Sequence, residues 1–278
     1  MSDSTTPYEV LIVQEGKGQA VPDELATEEP LEIRLATDAG VRPVAVTMRT
    51  PGNDEELTLG FLYAEGILAE RDDAVEIRRP RDRAGRAEPN ILVVELREGL
   101  DPDFKGLDRH FFTSSACGVC GKAGIEALLI KKTPTTSDNS MALDPDVLYS
   151  LPEKLQSQQS VFKSTGGLHA AGLYTREGDE VAVREDVGRH NAVDKLIGWA
   201  LDEGRLPLVD SIVMVSGRSS YEILQKCLMA DVAVVCAVSA PSSLAVSLAR
   251  QFNLTLIGFL RERRMNVYSG RERIRLVS

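Results

Sequence analysis

Three continuous apolar segments alternate with helical patterns in the last third of this chain. The apolar segments are residues 211–215, 232–238 and 254–260. Each is short and almost entirely apolar, which is typical of a strand buried on both faces. The first helical pattern opens with Ser219 and Glu222, which have the spacing of a capping box. Because strand–helix–strand units make right-handed crossovers between parallel strands, this region predicts an α/β fold on a mostly parallel sheet.

A second set of patterns occupies the first third of the chain. Alternating apolar residues predict strands at 31–35 and 44–48, and an apolar run predicts another strand at 91–96. Helical spacing begins at Asp54, which we expect to cap that helix. Residues 1–22 are expected to form a loosely attached leader. This part of the chain therefore predicts an α+β unit.

The two sets of patterns predict two domains. The chain has 278 residues, which is enough for one large domain or two modest ones. Residues 99–106 interrupt the patterns on either side, and we place the domain boundary near them. Residues 1–108 are then a small N-terminal α+β domain with a flexible leader, and residues 109–278 are a C-terminal α/β domain. The fold class is α/β in the C-terminal domain and α+β for the whole chain.

The segment between these patterns predicts helices and a hairpin. Asp144 and Pro145 suit the cap and the first position of a helix, and Pro152 predicts a break into two helices. Residues 176–179 have the composition of a turn and lead into a strand pattern at 180–184. A hairpin at this place makes the predicted sheet mixed, with most of its strands parallel.

Composition and charge argue against several classes of protein. The chain has 43% hydrophobic and 27% charged residues, as ordinary soluble proteins do. A formal net charge of −10 argues against broad electrostatic attraction to nucleic acid or to an anionic membrane. The longest apolar stretch, residues 232–238, is too short to span a bilayer, and no secretion signal is visible. We expect a cytoplasmic protein that binds neither nucleic acid nor membranes.

Cys117 and Cys120 are the only neighbouring thiols in the sequence. Helical spacing begins directly after them at Lys122, and a helix N-terminus beside a lysine favours the thiolate form. The pair is compatible with half of a zinc site, a dithiol–disulfide redox pair, or a thiol that carries a persulfide. Gly118 and Gly121 argue against a packed core position, because a core position favours side chains that fill space.

Polar segments follow the three apolar strands, at the place where an open α/β sheet binds its ligands. They are residues 216–220, 239–243 and 261–264. Helix N-terminal amides with arginine nearby suit a phosphate group. The glycine motifs of P-loop ATPases and of dinucleotide-binding dehydrogenases are absent from the sequence. The pattern therefore indicates an anion site that belongs to neither of those classes, and helix capping alone is the alternative explanation of the serines.

The remaining reactive residues are histidines and isolated cysteines. His169 and His190 lie in polar, glycine-flanked contexts. At His169 the deaminase pattern His-x-Glu is missing, and the cysteine pair precedes it rather than following it, which argues against deaminase chemistry. Cys227 and Cys236 fall on a helix face and inside an apolar strand, and we expect both to be core residues.

Several motifs are spread over nearly the whole chain. They are residues 113–121, 165–171, 184–195, 216–223 and 239–241, with further motifs upstream at 29–31, 48–52, 59–62 and 65–67. Together they resemble the formate dehydrogenase accessory sulfurtransferase family, FdhD. The string Arg-Glu-Asp-Val-Gly-Arg-His-Asn within 184–195 is the most specific of them. The sequence departs from the family at Asp231, where glycine is frequent, and at Ser243, where threonine is expected.

The resemblance implies a sulfurtransferase that works as a sulfur carrier. Such a protein accepts sulfur from a cysteine desulfurase as a cysteine persulfide. It passes the sulfur to the molybdenum cofactor, bis-molybdopterin guanine dinucleotide, before that cofactor enters formate dehydrogenase. Cys117 is expected to carry the persulfide, with Cys120 assisting or resolving. The resemblance also implies a homodimer and a C-terminal domain similar in fold to cytidine deaminases.

The resemblance also suggests what the anion site binds, namely the guanine dinucleotide end of the molybdenum cofactor. The residues expected to bind it are Phe259, Leu260, Arg261, Glu262, Arg263, Arg264, Ser216, Gly217, Arg218 and Ser219. No zinc is expected. The alternative is a non-enzymatic, zinc-stabilised binding module or a chaperone for apo-formate dehydrogenase. That module would need two more zinc ligands near the cysteine pair, and His110 and His169 are not spaced for a usual zinc knuckle.

Overall fold

The computed structural model describes residues 4–38, 40–100, 102 and 141–276. Its first element is an antiparallel hairpin of strands β1 (Thr5–Gln14) and β2 (Lys17–Ala26), where the sequence predicted a loose leader. The turn residues Glu15 and Gly16 have φ angles of 52° and 77°, which suit the twist of a two-residue hairpin. The hairpin was not predicted, and it forms because the β-branched and apolar residues at 10–13 favour a strand, whereas the loose attachment of this segment stays a prediction.

A four-stranded sheet follows, with the strand order β4–β3–β6–β5. Its strands are β3 (Glu29–Thr37), β4 (Gly40–Arg49), β5 (Ala74–Arg78) and β6 (Ile91–Leu96). Strand β3 pairs antiparallel with β4 and parallel with β6. The three strands predicted in this region are confirmed, and β5 is additional. Leu31, Ile33 and Leu35 of β3 are fully buried, so one face of this sheet lies in the core.

The C-terminal sheet has six strands in the order β12–β11–β10–β9–β7–β8. They are β7 (His169–Thr175), β8 (Glu180–Asp186), β9 (Ser211–Val215), β10 (Val234–Ala237), β11 (Thr255–Arg261) and β12 (Arg264–Ser269). Strands β8, β9, β10 and β11 share one direction, and β7 and β12 run against it. The mostly parallel mixed sheet is therefore confirmed. Strand β12 was not predicted, and it arises because the chain turns back at Glu262 and Arg263.

Six α-helices complete the described part of the chain. They are α1 (Asp54–Ala64), α2 (Pro145–Gln158), α3 (Ser160–Thr165), α4 (Arg189–Asp202), α5 (Tyr221–Met229) and α6 (Ser243–Gln251). As predicted, the Asp144 carboxylate caps α2 by accepting from the Asp146 N–H at 2.8 Å. Pro152 does not break α2, because buried leucines on both sides of it share one face, and the break lies at Gln159. No helix of these ranges is long and apolar enough to cross a membrane.

Two predicted helix caps are displaced by one residue. Asn53 rather than Asp54 precedes α1, because the Asp54 carboxylate accepts a hydrogen bond from Arg49 at 2.9 Å. Ser220 rather than the serine before it precedes α5, and its side chain caps no backbone N–H. The Ser220 hydroxyl lies instead 3.1 Å from Nε2 of His190. At α1 a tertiary partner competes with the cap that local spacing predicts, and at α5 a tertiary partner occupies the hydroxyl at the displaced cap position.

One hydrophobic cluster runs through both halves of the chain. It contains Ile33 and Leu62 from the first half together with Leu224 and Leu256 from the second. The predicted domain boundary after residue 108 lies outside the described residues. The division into two domains therefore stays a prediction, and the structure adds that the two halves share a core.

Helices α1 and α4 touch through their backbones. A Cβ atom at Gly60 would lie 1.8 Å from the carbonyl oxygen of Asp194. A Cβ atom at Gly198 would lie 1.8 Å from the carbonyl oxygen of Glu56. These distances are far inside van der Waals contact, so the two helices reach this separation only because both positions are glycine.

Replacing Gly60 or Gly198 with alanine should destabilise the fold by about 3 kcal/mol or more. The added methyl group has to push two helix backbones apart, and the better helix propensity of alanine, about 1 kcal/mol, offsets this only in part. Gly167→Ala is the matched control, because a Cβ atom there meets nothing closer than 3.5 Å. Urea denaturation followed by circular dichroism measures the difference, and a loss below about 1 kcal/mol at Gly60 would contradict the backbone contact.

Candidate functional site

The carboxyl ends of β8, β9, β10 and β11 meet at one edge of the six-stranded sheet, because these strands share a direction. Ser219 forms a bridge with Pro241, and its backbone oxygen accepts from the Ser242 N–H at 3.0 Å. The Phe259 N–H donates to the Ser239 oxygen at 3.2 Å. The polar segments predicted from the sequence thus form one continuous surface with the starts of α4, α5 and α6, which we call the carboxyl edge.

The loop after β9 holds four of the residues predicted to bind the cofactor, from Ser216 to Ser219. The Ser216 hydroxyl is used within the fold, because it accepts from the Ala170 N–H at 2.9 Å. Gly217 lies against His169, and Arg218 is exposed. Ser219 is fully buried, and its hydroxyl has no hydrogen-bond partner among the described residues. The side chain that solvent reaches most freely in this loop is therefore that of Arg218.

The turn after β11 holds the other predicted binding residues. Leu260 is 0% exposed and belongs to a core cluster, so its side chain is closed to a ligand. Arg263 pairs with Asp146 and lies over the ring of Tyr149 at 5.3 Å. The side chains that are exposed or half-buried without such contacts are those of Phe259, Arg261, Glu262 and Arg264.

The motif at 184–195 joins the two halves of the chain. Asp186 is fully buried, and its carboxylate accepts from the Thr50 N–H at 3.2 Å and from the Asn191 amide at 3.0 Å. The Lys195 ammonium lies 2.8 Å from the same carboxylate and donates to the Thr50 oxygen at 2.9 Å. Burial raises the pKa of Asp186, and the ammonium of Lys195 opposes that rise. The motif therefore fixes the turn before α1 against the start of α4.

His190, in the first turn of α4, contacts the start of α5. Its Nε2 atom lies 3.1 Å from the Ser220 hydroxyl and 3.1 Å from the Glu222 carboxylate. Both partners use the same ring nitrogen, so these residues do not form the relay of a serine hydrolase, which needs one partner on each nitrogen. Burial lowers the pKa of His190 to about 3, and the positive charges of Arg189 and Lys226 add to the shift. His190 is therefore neutral near pH 7 and holds α5 in place.

Three charged residues of α4 and α5 were given no role by the sequence patterns. Arg189 lies inside the most specific motif, yet nothing in the pattern gave it a role. Asp194 and Lys226 form a buried ion pair at 2.7 Å, and burial raises the pKa of Asp194 to about 6 against the effect of Lys226. The sequence did contain a signal for this ion pair, because two helical patterns carry opposite charges at positions that face inward. A search for apolar periodicity alone does not detect it.

The cysteine pair expected to handle sulfur, Cys117 and Cys120, lies outside the described residues, as does His110. Cys227 and Cys236 are free and fully buried, which confirms them as core residues. Burial raises the pKa of the Cys227 thiol to about 12 and also raises the pKa of Cys236. Neither buried thiol forms appreciable thiolate near neutral pH, so both are poor nucleophiles.

Metal ligands and cavities in the described residues identify no further site at the carboxyl edge. Within the described ranges, no three side chains of His, Cys, Asp or Glu are placed to hold a metal ion. A cavity of about 570 Å³ is lined in part by Thr175, Arg205 and Ser211. Thr175 and Ser211 stand at the opposite ends of their strands from the carboxyl edge, so this cavity is not part of the candidate site.

The carboxyl edge and the turn before α1 lie within a segment that matches a known protein family. A family model described as the FdhD/NarQ family matches residues 26–275. The chain belongs to the FdhD/NarQ family. The match begins at the last residue of β2, so it leaves out nearly all of the N-terminal hairpin.

Relatives within the FdhD/NarQ family match nearly the whole chain. The sulfur carrier protein FdhD of Streptomyces avermitilis is 47% identical over 280 residues, which cover 99% of this chain and 98% of that protein. The protein of the same name from Mycobacterium tuberculosis is 49% identical over 258 residues, covering 91% and 92%. A crystal structure described as a formate dehydrogenase accessory protein from Desulfotalea psychrophila superposes with a TM-score of 0.75 at 25% identity, covering 98% of this chain and 99% of that one.

Acid should destabilise the folded protein through His190. The unfolded chain protonates this histidine near its ordinary pKa of 6.5, whereas burial lowers the folded value to about 3. The unfolded state therefore binds the extra proton between these values, and stability is lost as the pH falls through that window, by up to about 1.4 kcal/mol per pH unit. His190→Gln should lose less stability than the parent between about pH 6 and pH 5 in urea denaturation. Equal losses in the two proteins would contradict a buried, neutral histidine.

Proposed function

We propose that this protein is a sulfur carrier in the maturation of formate dehydrogenase. Membership of the FdhD/NarQ family carries the proposal. It is supported by relatives named sulfur carrier protein that match nearly the whole chain, and by the shared fold of a formate dehydrogenase accessory protein. In this role the protein acts as a sulfurtransferase that holds sulfur as a persulfide.

Cys117 is the residue that we assign to carry the sulfur. Its thiolate attacks the outer sulfur of a persulfide on a cysteine desulfurase. A new sulfur–sulfur bond forms at Cys117, and the desulfurase cysteine leaves as a thiolate, so the transfer involves no net oxidation or reduction. The position of Cys117 just before a helical pattern with Lys122 favours the thiolate that this step needs.

Release of the sulfur requires two electrons, and we assign Cys120 to this step. The Cys120 thiolate attacks the inner sulfur at Cys117, expels the outer sulfur as hydrosulfide, and leaves a disulfide between the two cysteines. The dithiol is oxidised while the carried sulfur is reduced to sulfide, which is the form that a molybdenum ligand takes. A thiol reductant then restores the cysteine pair.

The substrate that receives the sulfur is the molybdenum cofactor, bis-molybdopterin guanine dinucleotide, bound at the carboxyl edge. Arg261 and Arg264 flank the β11–β12 turn, and arginine forms paired hydrogen bonds with phosphate oxygens. Phe259 offers an aromatic face for guanine, and Arg218 in the loop after β9 adds positive charge. In a chain of net charge −10, this local cluster is what attracts an anionic cofactor.

The partners follow from the route of the sulfur. A cysteine desulfurase supplies it, and formate dehydrogenase receives the completed cofactor. We infer that the protein acts in the cytoplasm as a homodimer, as the family resemblance implies.

A desulfurase assay tests Cys117 directly. Incubation with a cysteine desulfurase and cysteine, followed by alkylation and peptide mass spectrometry, should find one added sulfur at Cys117. Cys117→Ala should lose the added sulfur and the maturation of formate dehydrogenase. Cys227→Ala is the matched control and should keep both, because that thiol is buried and its pKa is raised to about 12.

Two results, one from this assay and one from elemental analysis, would contradict the assignment. Full activity of Cys117→Ala, with activity lost only in Cys120→Ala, would reverse the roles of the two cysteines. One zinc per chain in elemental analysis, lost when Cys117 is replaced, would favour the zinc-stabilised binding module instead.

Binding of GDP, as a fragment of the cofactor, tests the cargo site. Arg261→Ala and Arg264→Ala should each weaken GDP binding by about tenfold or more, because each removes a charge-assisted contact to phosphate. Isothermal titration calorimetry measures the affinity. Arg271→Ala is the control, because Arg271 is exposed beyond the far end of β12. If both variants fold and bind GDP as well as the parent, the cofactor binds elsewhere.

A further inference from the structure

Arg189 is a cationic side chain without a counter-ion in the described part of the chain. It is the first residue of α4, and its Nε atom is buried without a hydrogen-bond partner. The nearby carboxylates contact other residues, since Asp186 pairs with Lys195 and the Glu222 carboxylate lies 3.1 Å from Nε2 of the neutral His190. A buried cationic donor that lacks a partner costs free energy, and a bound ligand could supply the missing acceptor.

The surroundings of Arg189 favour an anion. A Cβ atom at Gly217 would lie 3.3 Å from Nδ1 of His169 and 3.8 Å from the Cβ of Arg189, so the glycine keeps the space between these side chains open. Helix α4, which is 14 residues long, starts at Arg189, and the 9-residue helix α5 starts beside it at the same edge. The free N–H groups at both helix starts carry partial positive charge.

A second unpartnered donor lies in the loop next to this space. Ser219 is 0% exposed, and its hydroxyl has no hydrogen-bond partner in the ranges that the structure covers. Ser219 is next to Ser220, the residue that precedes α5, and it lies two positions after Gly217. Two buried polar atoms without partners, Nε of Arg189 and the Ser219 hydroxyl, therefore belong to the two segments that meet at Gly217.

We propose that Arg189, His169 and the start of α5 form a binding site for a phosphate or diphosphate group. Phosphate suits the site better than a carboxylate, because its tetrahedral oxygens can accept from donors that approach from β7, α4 and α5 at once. The site would receive a second diphosphate of the same cargo, and in that respect it rests on the proposed function. Its residues belong to β7 or follow β8 and β9, which lie two to four strand spacings, or about 10–19 Å, from β11.

The groups that face His169 make it a reporter of this site. Burial lowers its pKa, Arg189 on α4 lowers it further, and Asp186 on β8 opposes them. His190 is close enough to feel the charge of His169. A bound phosphate would offset the charge of Arg189, so the pKa of His169 should rise when the site is filled.

Titration calorimetry with inorganic pyrophosphate on the full chain tests the site. Arg189→Gln should weaken binding by about tenfold or more, since a charge-assisted contact is lost. Arg176→Gln is the matched control, because Arg176 is exposed at the opposite edge and pairs with Glu177, and it should bind as the parent does. Unchanged affinity in Arg189→Gln, or no binding of pyrophosphate to the parent, would overturn the proposal.

Histidine NMR gives a second readout that the unmodified protein already provides. The chain has three histidines, so His169→Gln is enough to assign the signal. Pyrophosphate should move the titration midpoint of His169 upward in the parent. Arg189→Gln alone should also raise that midpoint and should abolish the further effect of pyrophosphate, which a purely structural role would not produce. If pyrophosphate left the titration midpoint of His169 unchanged in the parent protein, the proposal would be overturned even if the variant failed to fold.

Comparison of GDP with inorganic pyrophosphate separates the possible sources of the phosphate. Weaker binding of both ligands in Arg189→Gln supports a nucleotide diphosphate in the site, and weaker binding of pyrophosphate alone supports a free phosphate. The proposed function fails separately from this inference. Unchanged pyrophosphate binding in Arg189→Gln together with a persulfide at Cys117 would remove the phosphate site and leave the sulfur carrier intact.

Discussion

The backbone contact between α1 and α4 sets the geometry on which the rest of the structure depends. Gly60 and Gly198 let the helices approach so closely that a Cβ atom at either position would collide with a carbonyl oxygen of the other helix. At that separation the turn before α1 reaches Asp186 through Thr50. If the helices moved apart, the buried pair of Asp186 and Lys195 would lose its partners from the first half of the chain. A buried ion pair that loses its hydrogen bonds is strongly destabilising.

The same contact orders the carboxyl edge. Asp186 fixes the start of α4, and α4 positions Arg189 and His190. His190 then holds the start of α5 through Ser220 and Glu222. The motif at 184–195 thus combines residues that lock the two halves together with residues that face the edge where a ligand can bind, which gives a physical reason for its unusual length.

Sequence patterns predicted the elements whose burial repeats along the chain. The apolar strands and the edge where their carboxyl ends meet followed from periodicity and the order of the elements. Other features depended on partners far away in sequence. The helix start moved to Ser220, whose hydroxyl contacts His190 instead of capping the helix, and the ion pair of Asp194 and Lys226 needed two helices to be docked first. The turn at Glu262 and Arg263 lacks the glycine or asparagine that signals such a hairpin, so β12 could not be predicted.

The β11–β12 turn also has a thermodynamic consequence. Arg261 and Arg264 are paired across it, so their backbone separation is fixed by the strand ladder. The two residues between them have φ angles of 49° and 57° without being glycine, which costs about 1 kcal/mol each. The free-energy cost of ordering this turn is therefore met when the protein folds and not when an anion binds. The proposed anion binding at this turn would therefore require less interaction energy than binding to a flexible arginine loop of the same composition.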